Sequence, residues 1–262
     1  MIEESYQVVN AHRLRVLHAL DRPGTPLLIF NGIGASADLL RPLLERIQVP
    51  VVTFDLPGVG ASPARLFPKR MGQIAALARG VMAELGLARV SVMGISWGGG
   101  AAQQFARRHP DVTERLILAA TATGQIMVPP RPRVMLHMAT PWRYLSAGYF
   151  RWVAGEIYGG DFRFSTGRVE RHVKLVTPPS IWGYLSQLYA LAGWTSLFWL
   201  HEVTVPALVL AGDDDPIVPL GNARILVSRL PNATLIVYDC GHLFVLTRLE
   251  QVTADINAFL AT

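Results

Sequence analysis

Cysteine is nearly absent. Cys240 is the single one in 262 residues, which excludes an intramolecular disulfide framework and the small secreted scaffolds that depend on one. Nowhere do about eighteen apolar residues run together, so no transmembrane segment is expected. Met1 to Ser5 are acidic and polar and lack the cationic stretch and apolar run of a secretion signal; the expected location is cytoplasmic. Charged residues are scarce as well, 16% against 51% apolar, a balance far from that of a disordered chain. The length allows one domain with a sizeable insertion.

The net charge of +5 raises the question of nucleic acid, and its distribution answers it. Between Gly124 and Glu202, eight Arg or Lys face four acids, nearly the whole excess. No nucleic-acid motif accompanies them, so nucleic acid is not an expected partner. The basic segment reads either as a solvated face or as a surface that meets something anionic.

Apolar runs dominated by branched residues recur at Pro26 to Phe30, Val51 to Phe54, Val90 to Met93, Leu116 to Ala119, Ala207 to Leu210 and Thr234 to Tyr238. Each reads as a strand buried on both faces of a parallel sheet. Tyr6 to Val9 and Leu14 to Leu17 precede them as a hairpin at the sheet edge, which makes eight strands. Helical spacing appears between the runs, with Ile74, Leu77, Val81 and Leu85 ending at Gly86, and again with Val252, Ile256, Phe259 and Leu260. Alternating strands and helices predict an α/β architecture with ligands at the carboxyl ends of the strands.

From Gln125 to about Val203 the rhythm stops, and Pro, Trp, Tyr, Met and Arg become abundant. The stretch is too long for a loop. It predicts a helical cap over residues 124–203, inserted between strands 6 and 7, with residues 1–123 and 204–262 forming the core.

Val90 to Met93 leads directly into Gly94-Ile95-Ser96-Trp97-Gly98, followed by a helical pattern. Strand, G-x-S-x-G and helix in that order form a nucleophile elbow, whose serine projects from a turn that only flanking glycines can accommodate. In this order the fold is that of the α/β-hydrolases: a mostly parallel eight-stranded sheet with helices on both faces. An unaided serine is a poor nucleophile and needs a base oriented by a carboxylate. The fold places that acid and then the histidine later in the chain. The strand at Ala207 ends in Asp213-Asp214-Asp215-Pro216, and Asp215, furthest into the loop and stiffened by Pro216, is the chosen acid, with Asp214 as the alternative. No His, Cys or Glu nearby completes a metal site. His242 follows the last strand and is the only one of seven histidines so placed. The two oxyanion donors are expected from the backbone amides of Trp97 and of Ile33, in the loop Asn31-Gly32-Ile33-Gly34.

These residues resemble those of the intracellular medium-chain-length polyhydroxyalkanoate depolymerases. The likeness extends over LLIFNGIGA (Leu27 to Ala35), FDLPGVG (Phe54 to Gly60), GISWGG (Gly94 to Gly99), QQFA (Gln103 to Ala106), IYGG (Ile157 to Gly160), GWTS (Gly193 to Ser196), LVLAGDDDP (Leu208 to Pro216) and GHLF (Gly241 to Phe244). It includes the cap. The resemblance implies a serine hydrolase that cleaves ester bonds of a hydrophobic storage polyester at the surface of cytoplasmic granules, without metal or organic cofactor, using Ser96, Asp215 and His242. Carboxylesterases, carbon–carbon bond hydrolases and perhydrolases share such a triad, so the triad alone does not separate them. A non-catalytic receptor on the same scaffold is the alternative from a different class.

Overall fold

The computed structural model describes residues 1–262. Its strands are β1 (Glu3–Val9), β2 (His12–Ala19), β3 (Leu27–Phe30), β4 (Val51–Phe54), β5 (Val90–Ile95), β6 (Thr113–Ala119), β7 (Ala207–Gly212) and β8 (Ala233–Tyr238). They form one sheet in the order β1-β2-β4-β3-β5-β6-β7-β8. The β1/β2 and β2/β4 pairs are antiparallel and all others parallel. The hairpin therefore lies at one edge, as its position before the parallel strands implies.

Every residue of β3, β4 and β7 is buried, which is why these strands read as apolar runs, interrupted only by Thr53, rather than as alternating ones. Alternation survives in which face each residue serves. Leu28 and Phe30 point into one core with the helices α2 (Met71–Glu84) and α3 (Trp97–Arg108), while Leu27 and Ile29 point into the other with α1 (Arg41–Arg46) and the C-terminal helix (Leu249–Ala261). Each fully buried Leu, Ile or Val contributes about 1.5–3 kcal/mol. Edge strand β8 shows only one fully buried residue, Tyr238.

Between β6 and β7 lie α4 (Pro132–Met138), α5 (Trp142–Leu145), α6 (Ala147–Tyr158), α7 (Thr166–Leu175) and α8 (Ile181–Leu191). The base of this insertion is pinned where Gly124 bridges Thr195 and where the Ser196 amide donates to the Thr123 carbonyl at 2.8 Å. Phe150, Val153, Ile157, Phe162 and Val169 form a small core of the insertion's own, which Ile217 joins from the main body. Helix α8 behaves differently. Its Tyr184 is wholly buried in the main core, and Gly183 lies so close to Gly58 that a Cβ on either would strike the other's backbone. No helix is long and apolar enough to cross a membrane.

The loop Asp55 to Gly60 is structural. Asp55 is buried and accepts the amides of Ala37 at 2.7 Å and Ala61 at 3.0 Å, with Arg15 3.3 Å away. Burial nevertheless pushes its carboxyl above the usual range. Gly60, at φ +52°, is required because a Cβ would run into the Asp55 carboxylate.

Candidate active site

Ser96 is the single residue between the end of β5 and the start of α3. Its φ of 54° and ψ of −120° lie where side-chain-bearing residues seldom go, a strained turn that aims the hydroxyl off the sheet. Two glycines make the turn possible. A Cβ on Gly94 would collide with the backbone of Gly98 and Gly99, and one on Gly98 with the carbonyl oxygens of Phe30 and Asn31.

His242 reaches the serine from beyond β8: its Nε2 lies 3.0 Å from Ser96 Oγ, and its Nδ1 lies 2.7 Å from Asp215 Oδ2. The remaining Asp215 oxygen accepts the amides of Ile217 at 2.9 Å and Val218 at 2.8 Å. That carboxylate, 5% exposed, is held by three hydrogen bonds, two of them from backbone amides, which fix it toward the ring. The structure thus brings Ser96, His242 and Asp215 into one hydrogen-bonded line.

The other two aspartates of the triplet are committed elsewhere. Asp213 Oδ1 accepts the Cys240 amide at 3.1 Å. Asp214, the alternative acid, accepts from Arg163 Nε and Nη2 at 2.9 and 3.0 Å together with the Gly160 amide at 2.7 Å. It ties the insertion to the β7 loop, and Arg163 holds its carboxyl below the usual range. Cys240 is buried, with its sulfur 3.0 Å from Thr247 Oγ1.

The insertion also holds the histidine. The His242 amide donates to the Tyr158 carbonyl at 2.8 Å, and the two rings lie nearly parallel with centroids 6.3 Å apart. Gly160 and Gly241 pack backbone to backbone at this point, where a Cβ on either would clash. The tetrapeptides Ile157 to Gly160 and Gly241 to Phe244 are therefore parts of one contact.

Neither the Ile33 nor the Trp97 amide donates to a protein acceptor, and both residues line the cavity in front of Ser96. The Ile33 loop is braced on three sides. Tyr144 donates its hydroxyl to the Ile33 carbonyl at 2.6 Å, Gly34 donates to Gln187 Oε1 at 2.6 Å, and Gly32 donates to Asn31 Oδ1 at 2.8 Å. Gln187 also accepts, through its carbonyl, the Trp97 indole N–H at 2.8 Å. One residue of α8 thus touches both donor-bearing segments.

Two cavities meet at the serine. The larger, of about 270 Å³, has no charged side chain and is walled by residues such as Met127, Leu188, Leu191 and Trp194. The smaller, of about 60 Å³, runs past His242 to Tyr158, His172 and Arg143. Sequence reasoning overlooked Arg143, counting it only among the basic residues of the insertion. Its place between Trp142 and Tyr144, in an aromatic stretch, is the one local sign that it lies inside.

No cluster of His, Cys, Asp and Glu suited to a metal ion occurs in the structure. A strand-to-helix serine, a histidine and a carboxylate at the carboxyl edge of a mostly parallel sheet define the hydrolases of the α/β fold. The family model described as the alpha/beta hydrolase fold matches residues 25–170 and 167–249, and the chain belongs to that family. It is 46% identical over 245 residues to the poly(3-hydroxyalkanoate) depolymerase of Ectopseudomonas oleovorans, covering 91% of this chain and 87% of that one, which places it in that enzyme's family. The 3-oxoadipate enol-lactonase 2 of Acinetobacter baylyi is 26% identical, covering 89% of this chain and 86% of its own. Among solved structures, an enol-lactonase from Burkholderia xenovorans LB400 superposes with a TM-score of 0.86 at 23% identity, covering 98% of this chain and 100% of that one. At that identity the likeness is one of fold.

Proposed function

We propose that the protein is a serine hydrolase that cleaves the ester bonds of medium-chain-length poly(3-hydroxyalkanoate), with Ser96 as nucleophile, His242 as base and Asp215 as its orienting acid. The observation that carries the chemistry is the unbroken line from Ser96 Oγ through the His242 ring to Asp215. The 46% identical depolymerase carries the substrate class.

His242 takes the Ser96 proton as Oγ bonds to the ester carbonyl carbon, and Asp215 stabilises the resulting imidazolium. The free amides of Ile33 and Trp97 receive the oxyanion. Collapse breaks the carbon–oxygen bond to the alcohol, which His242 protonates, and leaves an acyl-enzyme. Water, activated by the same ring, releases the acid. Residues 124–203 act as a cap in this reading: the cap supplies much of the apolar cavity wall and, through Tyr158, a fixed backbone position for His242. No step calls on a metal or an organic cofactor.

The apolar cavity suits alkyl side chains. Polymer latexes or soluble oligomers test this: kcat/KM rises as the side chain grows from butanoate to octanoate size. The reverse order removes the medium-chain assignment, and turnover of aryl esters without polymer reduces the reading to a general esterase.

Attachment to cytoplasmic storage granules belongs to the same proposal, and its force is apolar. Most of the basic residues counted between Gly124 and Glu202 are not free: Arg133, Arg151, Arg163 and Arg168 pair with Glu156, Glu170, Asp214 and Asp161, and Arg143 is buried. By contrast Leu136 is 70% and Trp152 67% exposed on neighbouring helices, with the Trp152 ring against His137. Pelleting with native granules is therefore little affected by salt, which screens exposed charge beyond roughly 8 Å at physiological strength. It falls about tenfold when Leu136 and Trp152 are both replaced by serine, with soluble aryl ester turnover unchanged. Salt-sensitive pelleting that ignores the double replacement would return the role to the three unpaired bases.

A further inference from the structure

Arg143 is 4% exposed, yet its guanidinium has no acidic partner. Nη1 donates to the Tyr184 hydroxyl at 2.6 Å, while Nε is buried without any partner. The ionisable groups around it are the phenols of Tyr144, Tyr158 and Tyr184 and the imidazole of His172. A guanidinium remains protonated at physiological pH, so this is a buried positive charge without a counter-charge from the protein. The rings of Tyr144 and Tyr184, 4.6 and 5.2 Å from its central carbon, offset only part of the lost hydration. His172 in the same cavity brings no second charge, since burial, reinforced by Arg143, pulls it down to about 4.

The cavity that Arg143 lines is the one that contains both Ser96 and His242. The apolar cavity on the other side of Ser96 contains Trp97 but not His242. This asymmetry orients the substrate. The group that His242 protonates is the departing alcohol, so the alcohol side of the ester lies toward Arg143 and the acyl side lies in the apolar cavity.

We propose that Arg143 binds the free carboxylate at the end of a polyester chain, so that Ser96 cleaves the last ester bond and releases one 3-hydroxy acid at a time. The inference rests on the serine-hydrolase reading given above. In a 3-hydroxy acid unit only two carbons separate the ester oxygen from the carboxylate carbon, and the unit's alkyl chain lies along apolar residues that line the same cavity, such as Leu39, Leu40 and Leu246. Ser96 Oγ bonds to the carbonyl carbon of the penultimate unit and the bond to the terminal unit's oxygen breaks. The proton taken from Ser96 passes through His242 to that oxygen, and the departing acid keeps its carboxylate ionised throughout. Water then hydrolyses the acyl-enzyme, its hydroxyl going to the acyl carbon and its proton returning to Ser96 by way of His242. The shortened chain emerges with a new carboxylate, the group needed for the next cycle.

The test compares the dimer of 3-hydroxyoctanoate carrying a free carboxylate with its methyl ester. Wild type favours the free acid in kcat/KM on the order of ten- to a hundredfold, mainly through KM, as expected for a hydrogen-bonded charge pair. In Arg143→Gln the ratio falls to about one, and Arg143→Lys, which keeps the charge but loses the fork, retains part of it. A merely structural arginine would lower both rates together and leave the ratio unmoved. Equal turnover of acid and ester by wild type overturns the inference while sparing the hydrolase. Turnover of neither condemns the hydrolase reading itself. Should Arg143→Gln fail to fold, inhibition of aryl ester hydrolysis in wild type decides: free 3-hydroxyoctanoate inhibits at least tenfold more tightly than its methyl ester, and equal inhibition overturns the inference.

Discussion

Replacing Ser96 by alanine lowers kcat on polymer and on aryl esters alike by about 10⁴- to 10⁶-fold. The hydroxyl accounts for the whole difference, because the turn that presents it is made by Gly94 and Gly98 and by the start of α3, not by the serine side chain. Alanine suffers the same strain as serine at φ 54° and breaks no hydrogen bond other than the one to His242. Thermal stability therefore changes little, within about 0.5–1 kcal/mol. Substrate binding also persists, since both cavities and the amides of Ile33 and Trp97 are untouched. The measurement is kcat by stopped or continuous assay beside a thermal melt. A variant that keeps even a tenth of the wild-type rate with an unchanged melt would show that Ser96 is not the nucleophile. A non-catalytic receptor on this scaffold would instead retain its full biological activity in Ser96→Ala.

The parts of this site legible in the sequence are those fixed by local chain direction. Ser96 and His242 each follow a strand end, and the glycines around Ser96 announce a turn that nothing larger fits. The central strands are legible for a related reason: burial on both faces leaves runs that are apolar but for Thr53 and Ser91. β6 is less so, because its first residues, Thr113 to Arg115, are polar, and Glu114 and Arg115 are only half-buried before the run from Leu116 onward. The three aspartates cannot be sorted from sequence with the same force, since what separates them is tertiary. Asp214 is claimed by Arg163 and Gly160, more than fifty positions earlier in the chain, and Asp213 by the Cys240 amide. Arg143 is the extreme case. A charged residue reads as surface, and only its enclosure by Tyr144, Tyr158 and Tyr184 makes Arg143 a buried group.

Charge counting fails in a similar way. Eight bases against four acids describe a basic segment, but four of those bases are paired by carboxylates, one of them from the β7 loop, and a fifth is buried. The exposed bases left without a carboxylate partner are Arg131, Arg171 and Lys174. That is why exposed Leu136 and Trp152, rather than arginine, carry the proposed attachment to a hydrophobic particle.

Asp215→Asn reduces kcat by about 10⁴-fold, whereas Asp214→Asn leaves it within a factor of about two. The contrast follows from where each carboxylate spends its acceptors. Asp215 takes two backbone amides on one oxygen and the His242 Nδ1 on the other. An asparagine in that position keeps the amide bonds through its carbonyl but turns an N–H donor toward the ring. The imidazole is then driven to carry its proton on Nε2, facing Ser96, where it cannot accept the serine proton, and no negative charge remains to stabilise the imidazolium. KM changes little, because Asp215 lines neither of the two cavities that meet at the serine. Asp214→Asn, by comparison, weakens a partly exposed ion pair with Arg163, worth about 0–1 kcal/mol, and that loss is read in the melt rather than in the rate. If the two variants exchanged phenotypes, so that Asp214→Asn abolished turnover and Asp215→Asn did not, the acid would have to reach His242 in an arrangement other than the one described, and the orientation assigned to the imidazole would fall with it.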